Sequence, residues 1–455
     1  MADIDDIIDE YIPTVDDSKK KEEAAQSQSA PVLPETKQRL HGDKHIWGTF
    51  ILLCIVSIIE LYSASSREVA SAGVYGPIIR HCALLCIGVA IVWTLEKVPY
   101  KWFVPLTPFF VFVSMGMMVY VMFFGEIVNG ARRSLTIVGL TLQPAEFIKM
   151  SAVLVIALIM SRTQERQGVT TKGVALSAGI VLLFGALLFN QGLTNTILLM
   201  AISLSMMLIG GVQWKKFGVV LIVYGVIAGG GLVLKDGLED DDIKTEDVEL
   251  AESMEDDMKE VNRFGTWTGR LDRFWGDTIP KYAQPINALN RQEMYSYMAQ
   301  ANGGIFGVFP GNSRETARLP LAFSDYIFAI IVEDLGFVGG LLLMLVYLWL
   351  LRRAGGIASR CSRAFPALLV MGMAVMIVFQ ALFHMAITTG AFPVSGQPLP
   401  LISKGGTSII VTSIAFGIML SVSRYAVQNG KKNEIKAELN ALPESVKADN
   451  PTQLS

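Results

Sequence analysis

Long apolar stretches alternate with short polar segments along most of this chain of 455 residues. Ten stretches approach the length of about 20 residues that an α-helix needs to cross the hydrocarbon core of a bilayer. They lie near residues 46–64, 77–95, 102–124, 144–160, 172–190, 194–212, 217–234, 336–352, 364–386 and 407–423. The pattern therefore predicts an all-α polytopic membrane protein with ten transmembrane helices and one large extracytoplasmic loop.

That loop is the polar segment 235–323, between the seventh and eighth apolar stretches. Its first part, 236–260, holds thirteen Asp or Glu against two Lys. We interpret it as a solvated acidic segment rather than as a surface for a partner or a cation. Its second part, 261–323, is basic and rich in glycine, tryptophan and tyrosine, which suits an anionic, sugar-bearing ligand.

The two ends of the chain are polar. Residues 1–45 are rich in charged and small polar residues, which is typical of a disordered tail, and residues 427–455 are similar. The membrane domain is therefore expected over 46–426. Because a polar segment precedes a first apolar stretch of full length, we expect no cleavable signal peptide.

Arginine and lysine in the short loops predict the orientation of the helices. With the N-terminus in the cytoplasm, the cytoplasmic loops carry eleven basic residues and the short outer loops carry five. Both termini are therefore expected in the cytoplasm, with 235–323 outside. A charged fraction of 17%, against roughly 25% in soluble domains, argues against a soluble class. None of the four cysteines pairs with another in an outer loop, so we expect no disulfide.

Asp325 is the first candidate for chemistry. It stands at the outer mouth of an apolar run and just after a basic loop. Desolvation there would raise its pKa and make it a general base, although a helix N-cap at Ser324 or Asp325 explains the residue equally well. Glu333 lies eight residues further on, which is about 12 Å along a helix. Because paired glycosidase carboxylates are roughly 5–9.5 Å apart, we expect Glu333 to have a structural role, binding backbone donors or an arginine.

A second group of charges lies in residues 129–150. Arg132 and Arg133 precede a helix that Gln143 and Pro144 open, and Glu146 and Lys149 follow on one face of that helix. Charges within a bilayer are usually paired or functional, so Glu146 and Lys149 form either a mutual ion pair or a wall that faces a ligand. His384, inside the ninth apolar stretch, is interpreted as a core histidine whose hydrogen bonds are satisfied.

Residues 391–408 interrupt the helical pattern with three prolines and three glycines. Irregular backbone at membrane depth persists only where it is buried in protein or lines a wet cavity. We expect this segment to form a wall of a substrate cavity opposite Asp325. Ser403, Gly405 and Gly406 would then offer backbone amides to an anion, while Lys404 adds a positive charge or extends to the lipid headgroups.

Three of these segments together resemble the SEDS family of polytopic membrane proteins, the RodA/FtsW group. They read NGARR…LQPAEFIK at 129–149, GNS…LP…SDYIFAII…E…LG at 311–336 and FPVSG…PLPLIS…GG…S at 392–408. YSAS at 62–65 and RLDRF at 270–274 also match. The similarity extends over the whole membrane domain. The sequence AFSDYIFAII and the long polar N-terminal tail are more similar to the division branch, FtsW, than to the elongation branch.

The resemblance implies a glycosyltransferase that polymerises lipid II into peptidoglycan strands at the outer face of the bacterial cytoplasmic membrane during cell division. Asp325 matches the essential aspartate of the family and would take the proton of the acceptor hydroxyl. The candidates for holding the pyrophosphate leaving group are Arg132, Arg133, Lys149 and Lys404, and a divalent cation is an alternative for part of that work.

The expected partners are lipid II and the growing glycan strand, a cognate class B penicillin-binding protein and other membrane proteins of the division complex, with no nucleic acid among them. Two other functions stay open at this point. A lipid II flippase would have the same polytopic architecture with broken helices, and a non-catalytic scaffold of the cell-wall synthesis complex would need no base at all.

Overall fold

The computed structural model describes residues 42–64, 75–128, 131–137, 140–166, 168–189, 192–236, 274, 284–287, 290–319 and 323–441. Its α-helices, numbered along the chain, are α1 (Lys44–Ala64), α2 (Tyr75–Lys97), α3 (Phe103–Phe124), α4 (Pro144–Arg162), α5 (Thr171–Phe189), α6 (Leu193–Ile209), α7 (Trp214–Asp236), α8 (Arg291–Gly303), α9 (Ile327–Ala358), α10 (Ala364–Thr388) and α11 (Gly406–Ala441). A short 3₁₀ turn, Tyr100–Trp102, precedes α3. The acidic segment 236–260 lies outside the described residues, apart from the last residue of α7.

Within the described part of the chain, eight helices are long and apolar enough to cross a membrane: α1–α5 and α9–α11. Helix α6 is apolar but has only 17 residues. Helix α7 has 23 residues and coincides with the seventh predicted stretch. The protein is therefore mostly helical, with eight candidate membrane-spanning helices.

Five short strands depart from the all-α expectation. Strands β1 (Glu126–Val128), β2 (Ala131–Ile137) and β3 (Leu140–Leu142) form an antiparallel sheet between α3 and α4. In this sheet Ile127 pairs with Arg132, and Thr136 pairs with Thr141. Strands β4 (Gln164–Glu165) and β5 (Gly168–Val169), with two residues each, form an antiparallel hairpin after α4. The alternation in these short loops was too brief to predict strands.

Three helices form the centre of the bundle. Of the residues in the most apolar part of each helix, 83% are buried in α4 and in α11 and 78% in α10, whereas only 22% are buried in α3. On α3, Phe109 and Phe112 are exposed large hydrophobic residues, as expected of a lipid-facing helix. The inner helices α4 and α10 carry Glu146, Lys149, Gln380 and His384, which are described below.

Helix α9 begins nine residues before the predicted eighth stretch and contains a sharp kink. Its backbone is non-helical at Gly336, where φ is 72° and ψ is −178°. Glycine adopts this left-handed conformation without the penalty that a Cβ atom would bring. The segment 304–309 packs against the kink. The amide of Val308 donates to the carbonyl of Glu333 at 3.0 Å, and the amide of Phe309 donates to the carbonyl of Asp334 at 2.8 Å. The first part of α9, Ile327–Leu335, is therefore a separate short helix.

The other end of α9 is held by an ion pair that involves Asp43, a residue of the predicted tail. Arg353, near the end of α9, donates from its Nε to both carboxylate oxygens of Asp43 at 3.0 and 2.9 Å. Burial opposes ionisation of Asp43, but the hydrogen bonds and charge of Arg353 lower its pKa below the ordinary value. Trp47 Nε1 donates to Glu96 at 3.0 Å. The packed region therefore begins by Gly42. At the other end α11 extends to Ala441, and its candidate membrane-spanning part is Gly406–Val427.

Candidate active site

Asp325 lies in the turn that leads into α9 and is half-buried. The helix begins at Ile327, its N-cap residue is Tyr326, and the Tyr326 side chain makes no capping hydrogen bond. Ser324 Oγ donates a hydrogen bond of 3.1 Å to Asp325 Oδ1. The carboxylate thus sits at the end of a helix, next to a hydroxyl and partly open to its surroundings.

The segment 391–408 folds directly against this turn. A Cβ atom on Gly396 would lie 3.2 Å from Asp325 Oδ2, so the absence of a side chain lets the backbone approach the carboxylate. Ser403 Oγ donates to the carbonyl of Ser324 at 2.7 Å, and the amide of Lys404 donates to the carbonyl of Phe323 at 2.9 Å. The structure therefore brings together the two sequence features that carried the most functional information.

The amides of this segment are used differently from the sequence expectation. The Ser403 amide donates to Leu399 O at 3.0 Å and the Gly405 amide donates to Ser403 O at 2.8 Å. Ser403 is fully buried. Ser403 and Gly405 therefore shape the segment from within instead of presenting an amide nest to an anion, because a donor already bound to a carbonyl is not available to a ligand. Gly406 begins α11.

Lys404 is half-buried beside the same turn. Its Nζ lies 4.6 Å from the centre of the Phe323 ring, which is within the range of a cation–π contact. A position packed against an aromatic ring inside the protein favours the local role of this lysine over extension to the lipid headgroups.

Glu146 and Lys149 form the mutual ion pair that was one of the two expected alternatives. Lys149 Nζ lies 2.7 Å from Glu146 Oε1, and the side chain of Lys149 is 0% exposed. Gln380 of α10 joins the pair: its Nε2 donates to Glu146 Oε1 at 3.3 Å, and its Oε1 accepts from Lys149 Nζ at 3.4 Å. The same Nε2 lies 3.4 Å from the carbonyl of Pro398. The pair therefore contacts the inner side of segment 391–408 through Gln380.

His384 connects the segment to α9. Its Nδ1 lies 2.6 Å from the carbonyl of Gln397, and its Nε2 accepts from the amide of Phe328 at 3.4 Å. These partners place the ring proton on Nδ1, because a carbonyl can only accept and an amide can only donate. The Phe328 amide belongs to the first turn of α9, whose amides have no partner within the helix. His384 is thus the satisfied core histidine that the sequence predicted.

The sheet of β1–β3 reaches the site through Thr407. Thr407 Oγ1 donates to the carbonyl of Thr141 at 2.8 Å and accepts from the amide of Gln143 at 2.9 Å. Thr141 is in strand β3, which pairs with the strand β2 that carries Arg132 and Arg133. The two arginines are therefore on a sheet that is attached to the start of α11.

Glu333 has the structural role that its distance from Asp325 suggested. It is fully buried. Its Oε1 accepts from the amide of Arg314 at 3.0 Å and from Asn302 Nδ2 at 3.4 Å, and its Oε2 accepts from Ser313 Oγ. Glu333 therefore fixes residues 313–314 against the short first part of α9.

The roles of four residues of this region were not predicted from the sequence. They are Gln380, Gly396 and the hydrogen-bonded pair of Gln397 Nε2 with Asn195 Oδ1, at 3.0 Å, and all four contribute to the placement of segment 391–408. A glutamine inside an apolar stretch is a signal that could have marked Gln380, since buried amides need partners. No group of three or more His, Cys, Asp or Glu side chains in the described part of the chain is arranged to hold a metal ion.

The fold and this site define a polytopic membrane protein in which a half-buried carboxylate at a helix entrance is enclosed by an irregular segment between two inner helices. A family model described as cell cycle protein, which covers FtsW, RodA and SpoVE, matches residues 43–244 and 272–428. Because these ranges make up most of the chain, the protein belongs to this family. The SEDS resemblance found in the sequence is thereby confirmed.

Individual relatives agree with this assignment. The chain is 26% identical over 397 residues to the probable peptidoglycan glycosyltransferase FtsW of Coxiella burnetii, with 84% of this chain and 97% of the relative covered. It is 28% identical over 399 residues to the protein of the same description from Bacillus subtilis, with 84% and 91% covered. A solved chain of a peptidoglycan synthase complex, in a study of polymerisation and crosslinking, has the same fold, with a TM-score of 0.63 at 21% identity over 86% of this chain and 99% of that chain.

Proposed function

We propose that this protein is a peptidoglycan glycosyltransferase that polymerises lipid II into glycan strands during cell division. The observation that carries the proposal is the contact between Asp325 and the backbone at Gly396. It places a half-buried carboxylate at the entrance of α9, against the irregular segment 391–408. Membership of the family and the description of its relatives as peptidoglycan glycosyltransferases support the same activity.

In the proposed reaction Asp325 acts as the general base. It takes the proton of the GlcNAc 4-hydroxyl of lipid II while the hydroxyl oxygen attacks the anomeric carbon of the lipid-linked strand. The bond from that carbon to the lipid pyrophosphate breaks with inversion, and the pyrophosphate leaves with the electron pair.

The pyrophosphate that leaves carries a developing negative charge, which basic side chains can stabilise through charge-assisted hydrogen bonds. We propose Lys404 for this role, with Arg132 and Arg133 on the attached sheet, since Lys404 is next to the Asp325 turn. Gly406, at the start of α11, would add the positive end of a helix. We do not assign Lys149 a direct contact with the pyrophosphate, because its side chain is buried against Glu146. In this proposal Lys149 and Glu146 support the site from inside the bundle.

The proposed position in the cell follows from the reaction. We propose that α6 and α7 also cross the bilayer, which gives ten transmembrane helices, with both termini in the cytoplasm and 235–323 outside the cytoplasmic membrane. A class B penicillin-binding protein is the proposed partner, since strands need crosslinking after polymerisation. The solved relative from a peptidoglycan synthase complex supports this pairing.

A single assay separates the transferase from a flippase and from a scaffold. The full-length protein, purified in detergent, is incubated with lipid II, alone and with a class B penicillin-binding protein, and glycan strands are resolved on a gel. A transferase produces strands in a solution where there is no membrane to cross. Lipid II that stays unpolymerised in both reactions, while a known polymerase works on the same preparation, would contradict the proposal.

A further inference from the structure

A groove of about 720 Å³ lies between α1 and α9, and none of its lining residues belongs to the Asp325 turn or to segment 391–408. Its volume is typical of sites that bind small molecules, which measure roughly 300–1,000 Å³. A Cβ atom on Gly48, which lines the groove, would meet nothing within 4 Å, so the groove is open at this position. Most of the other lining residues are apolar, among them Leu52, Leu53 and Val56 of α1 and Leu335, Leu342 and Val346 of α9.

The polar side chains of this α1/α9 groove gather at one end. Lys44 and His45, in the first turn of α1, line that end, and the His45 ring meets Trp349 of α9 edge-on with a centroid distance of 6.0 Å. The guanidinium carbon of Arg352 lies 5.4 Å from the centre of the Trp349 ring. Thr49 also lines the groove, but its hydroxyl donates to the carbonyl of His45 at 2.9 Å. The groove therefore has one cationic end and an apolar remainder.

The two cations at this end are not neutralised by the acids beside them. Lys44 and Arg352 are both exposed, and neither takes part in an ion pair within the described ranges. Asp43, the neighbour of Lys44, is paired with Arg353. Glu96 accepts from the indole of Trp47 at 3.0 Å. The cationic end therefore favours an anionic group.

The length of the groove distinguishes between two kinds of occupant. Along α1 it extends from Lys44 to Val56, which is about 18 Å at the helical rise of about 1.5 Å per residue. Half of a hydrocarbon core of about 30 Å is about 15 Å, so the groove spans one leaflet. A transmembrane helix of a partner would need an apolar surface across both leaflets. A lipid has one charged end and chains that cross a single leaflet, which matches the groove.

We propose that the α1/α9 groove binds one anionic phospholipid, with an acyl chain along the groove and the phosphate at Lys44 and Arg352. Basic pockets between membrane helices are known to bind the headgroups of anionic lipids. Each helix contributes one of the two cations, so the bound phosphate would also hold α1 and α9 together at this end. The site is independent of the proposed glycosyltransferase reaction.

Lipid binding to the full-length protein tests the proposal. The protein is delipidated in detergent and titrated with phosphatidylglycerol or with phosphatidylcholine, and native mass spectrometry counts the lipids retained per chain. We expect one phosphatidylglycerol to bind wild type about tenfold or more tightly than phosphatidylcholine. Lys44→Gln should weaken that binding about fivefold, which is the contribution of one basic residue near an anionic headgroup. Gly48→Phe should abolish it, because the new side chain would occupy the groove.

The chain offers a matched control for each variant. Lys97 lies 2.8 Å from the centre of the Trp93 ring at the end of α2, outside the groove, so Lys97→Gln tests whether any lysine beside a tryptophan attracts the lipid. Gly116 on α3 is exposed with nothing within 4 Å of an added Cβ, so Gly116→Phe adds the same side chain elsewhere on the lipid-facing surface. Both controls should bind phosphatidylglycerol as wild type does.

Equal affinity of wild type for the two lipids would overturn the proposal, and so would equal binding by folded Gly48→Phe and Gly116→Phe. Should Gly48→Phe fail to fold, the comparison of Lys44→Gln with Lys97→Gln decides, since both lysines are exposed, and equal effects contradict the site. Loss of a class B penicillin-binding protein by Gly48→Phe, with phosphatidylglycerol still bound, would assign the groove to a partner helix instead. None of these readouts uses glycosyltransferase activity.

Discussion

At the scale of single residues, the protein stabilises the buried charge of Lys149 by pairing it with Glu146. Lys149 has Glu146 and Gln380 as partners and is wholly buried. An unpaired charge in this position would have neither water nor a counter-ion. The pair is therefore a point where one substitution has a large effect on folding.

We predict that Lys149→Met destabilises the protein by about 3–5 kcal/mol, because it leaves Glu146 buried without its partner. Arg166→Met removes an exposed cation and should change stability by less than about 0.5 kcal/mol. Thermal unfolding and yield in detergent measure the difference. The double variant Glu146→Gln, Lys149→Met should recover part of the loss, and equal behaviour of Lys149→Met and Arg166→Met would exclude the role given to the pair.

A second prediction concerns the contact that defines the site. In Gly396→Ala the new methyl group would meet Asp325 Oδ2 at 3.2 Å, so the carboxylate or segment 391–408 must shift by a few tenths of an ångström. We expect lipid II polymerisation to fall about fourfold, since displacement of a catalytic group by about 1 Å can cost roughly 100-fold, while the unfolding temperature changes little. Gly185→Ala is the control, because its Cβ meets Thr196 at an ordinary 3.5 Å. Unchanged polymerisation by Gly396→Ala would show that Asp325 tolerates the displacement.

At the scale of elements, the kink in α9 sets the direction of the short helix that follows Asp325. A Cβ on Gly336 would lie 2.3 Å from the carbonyl of Ile305, and its φ of +72° disfavours any other residue. Backbone hydrogen bonds from residues 304–309 occupy the carbonyls next to the kink. The element is therefore held in place by backbone contacts that leave no room for a side chain.

Gly336→Ala is accordingly expected to lower the unfolding temperature strongly and to reduce polymerisation, because the loop 304–309 must separate from α9. Gly116→Ala on α3, where nothing lies within 4 Å of the added methyl, should be neutral or slightly stabilising. Scanning fluorimetry compares the two variants. Equal unfolding temperatures would mean that the close approach at Gly336 can relax.

How far the sequence predicted these elements depends on how local each signal is. Apolar runs of full length gave the helices, and prolines and glycines in 391–408 identified the irregular segment, because both signals lie within one element. The kink at Gly336 and the role of Gln380 were not predicted, since each arises from a contact with a segment far along the chain. The same reason explains why the sequence left Glu146 and Lys149 undecided between a pair and a ligand wall.

At the scale of the whole molecule, the proposed orientation follows from the basic residues of the short loops and from the proposed reaction at the outer face. Arg353 and Asp43 hold one end of α9, and Asp325 lies at the other end. If the chain has the proposed orientation, the Asp43 end faces the cytoplasm. The large loop 235–323 then lies on the outer side of the cytoplasmic membrane.

Cysteine labelling tests this orientation in a variant that lacks the four native cysteines. We predict that a membrane-impermeant maleimide added from outside labels Ser253→Cys in the large loop, but not Ser359→Cys after α9. Residue 253 lies outside the described residues, whereas Ser359 ends α9. Labelling of Ser359→Cys alone would reverse the proposed topology.

The measurement that bears most directly on the central claim is polymerisation of lipid II by Asp325→Asn. The substitution keeps the shape of the side chain and removes its ability to accept the proton, so we expect the rate to fall by about 10²–10⁴-fold, with the unfolding temperature unchanged. Glu165→Gln, which neutralises an exposed carboxylate far along the chain, should polymerise lipid II at the wild-type rate. Polymerisation by a folded Asp325→Asn protein at close to the wild-type rate would contradict the account, because Asp325 could then not be the general base.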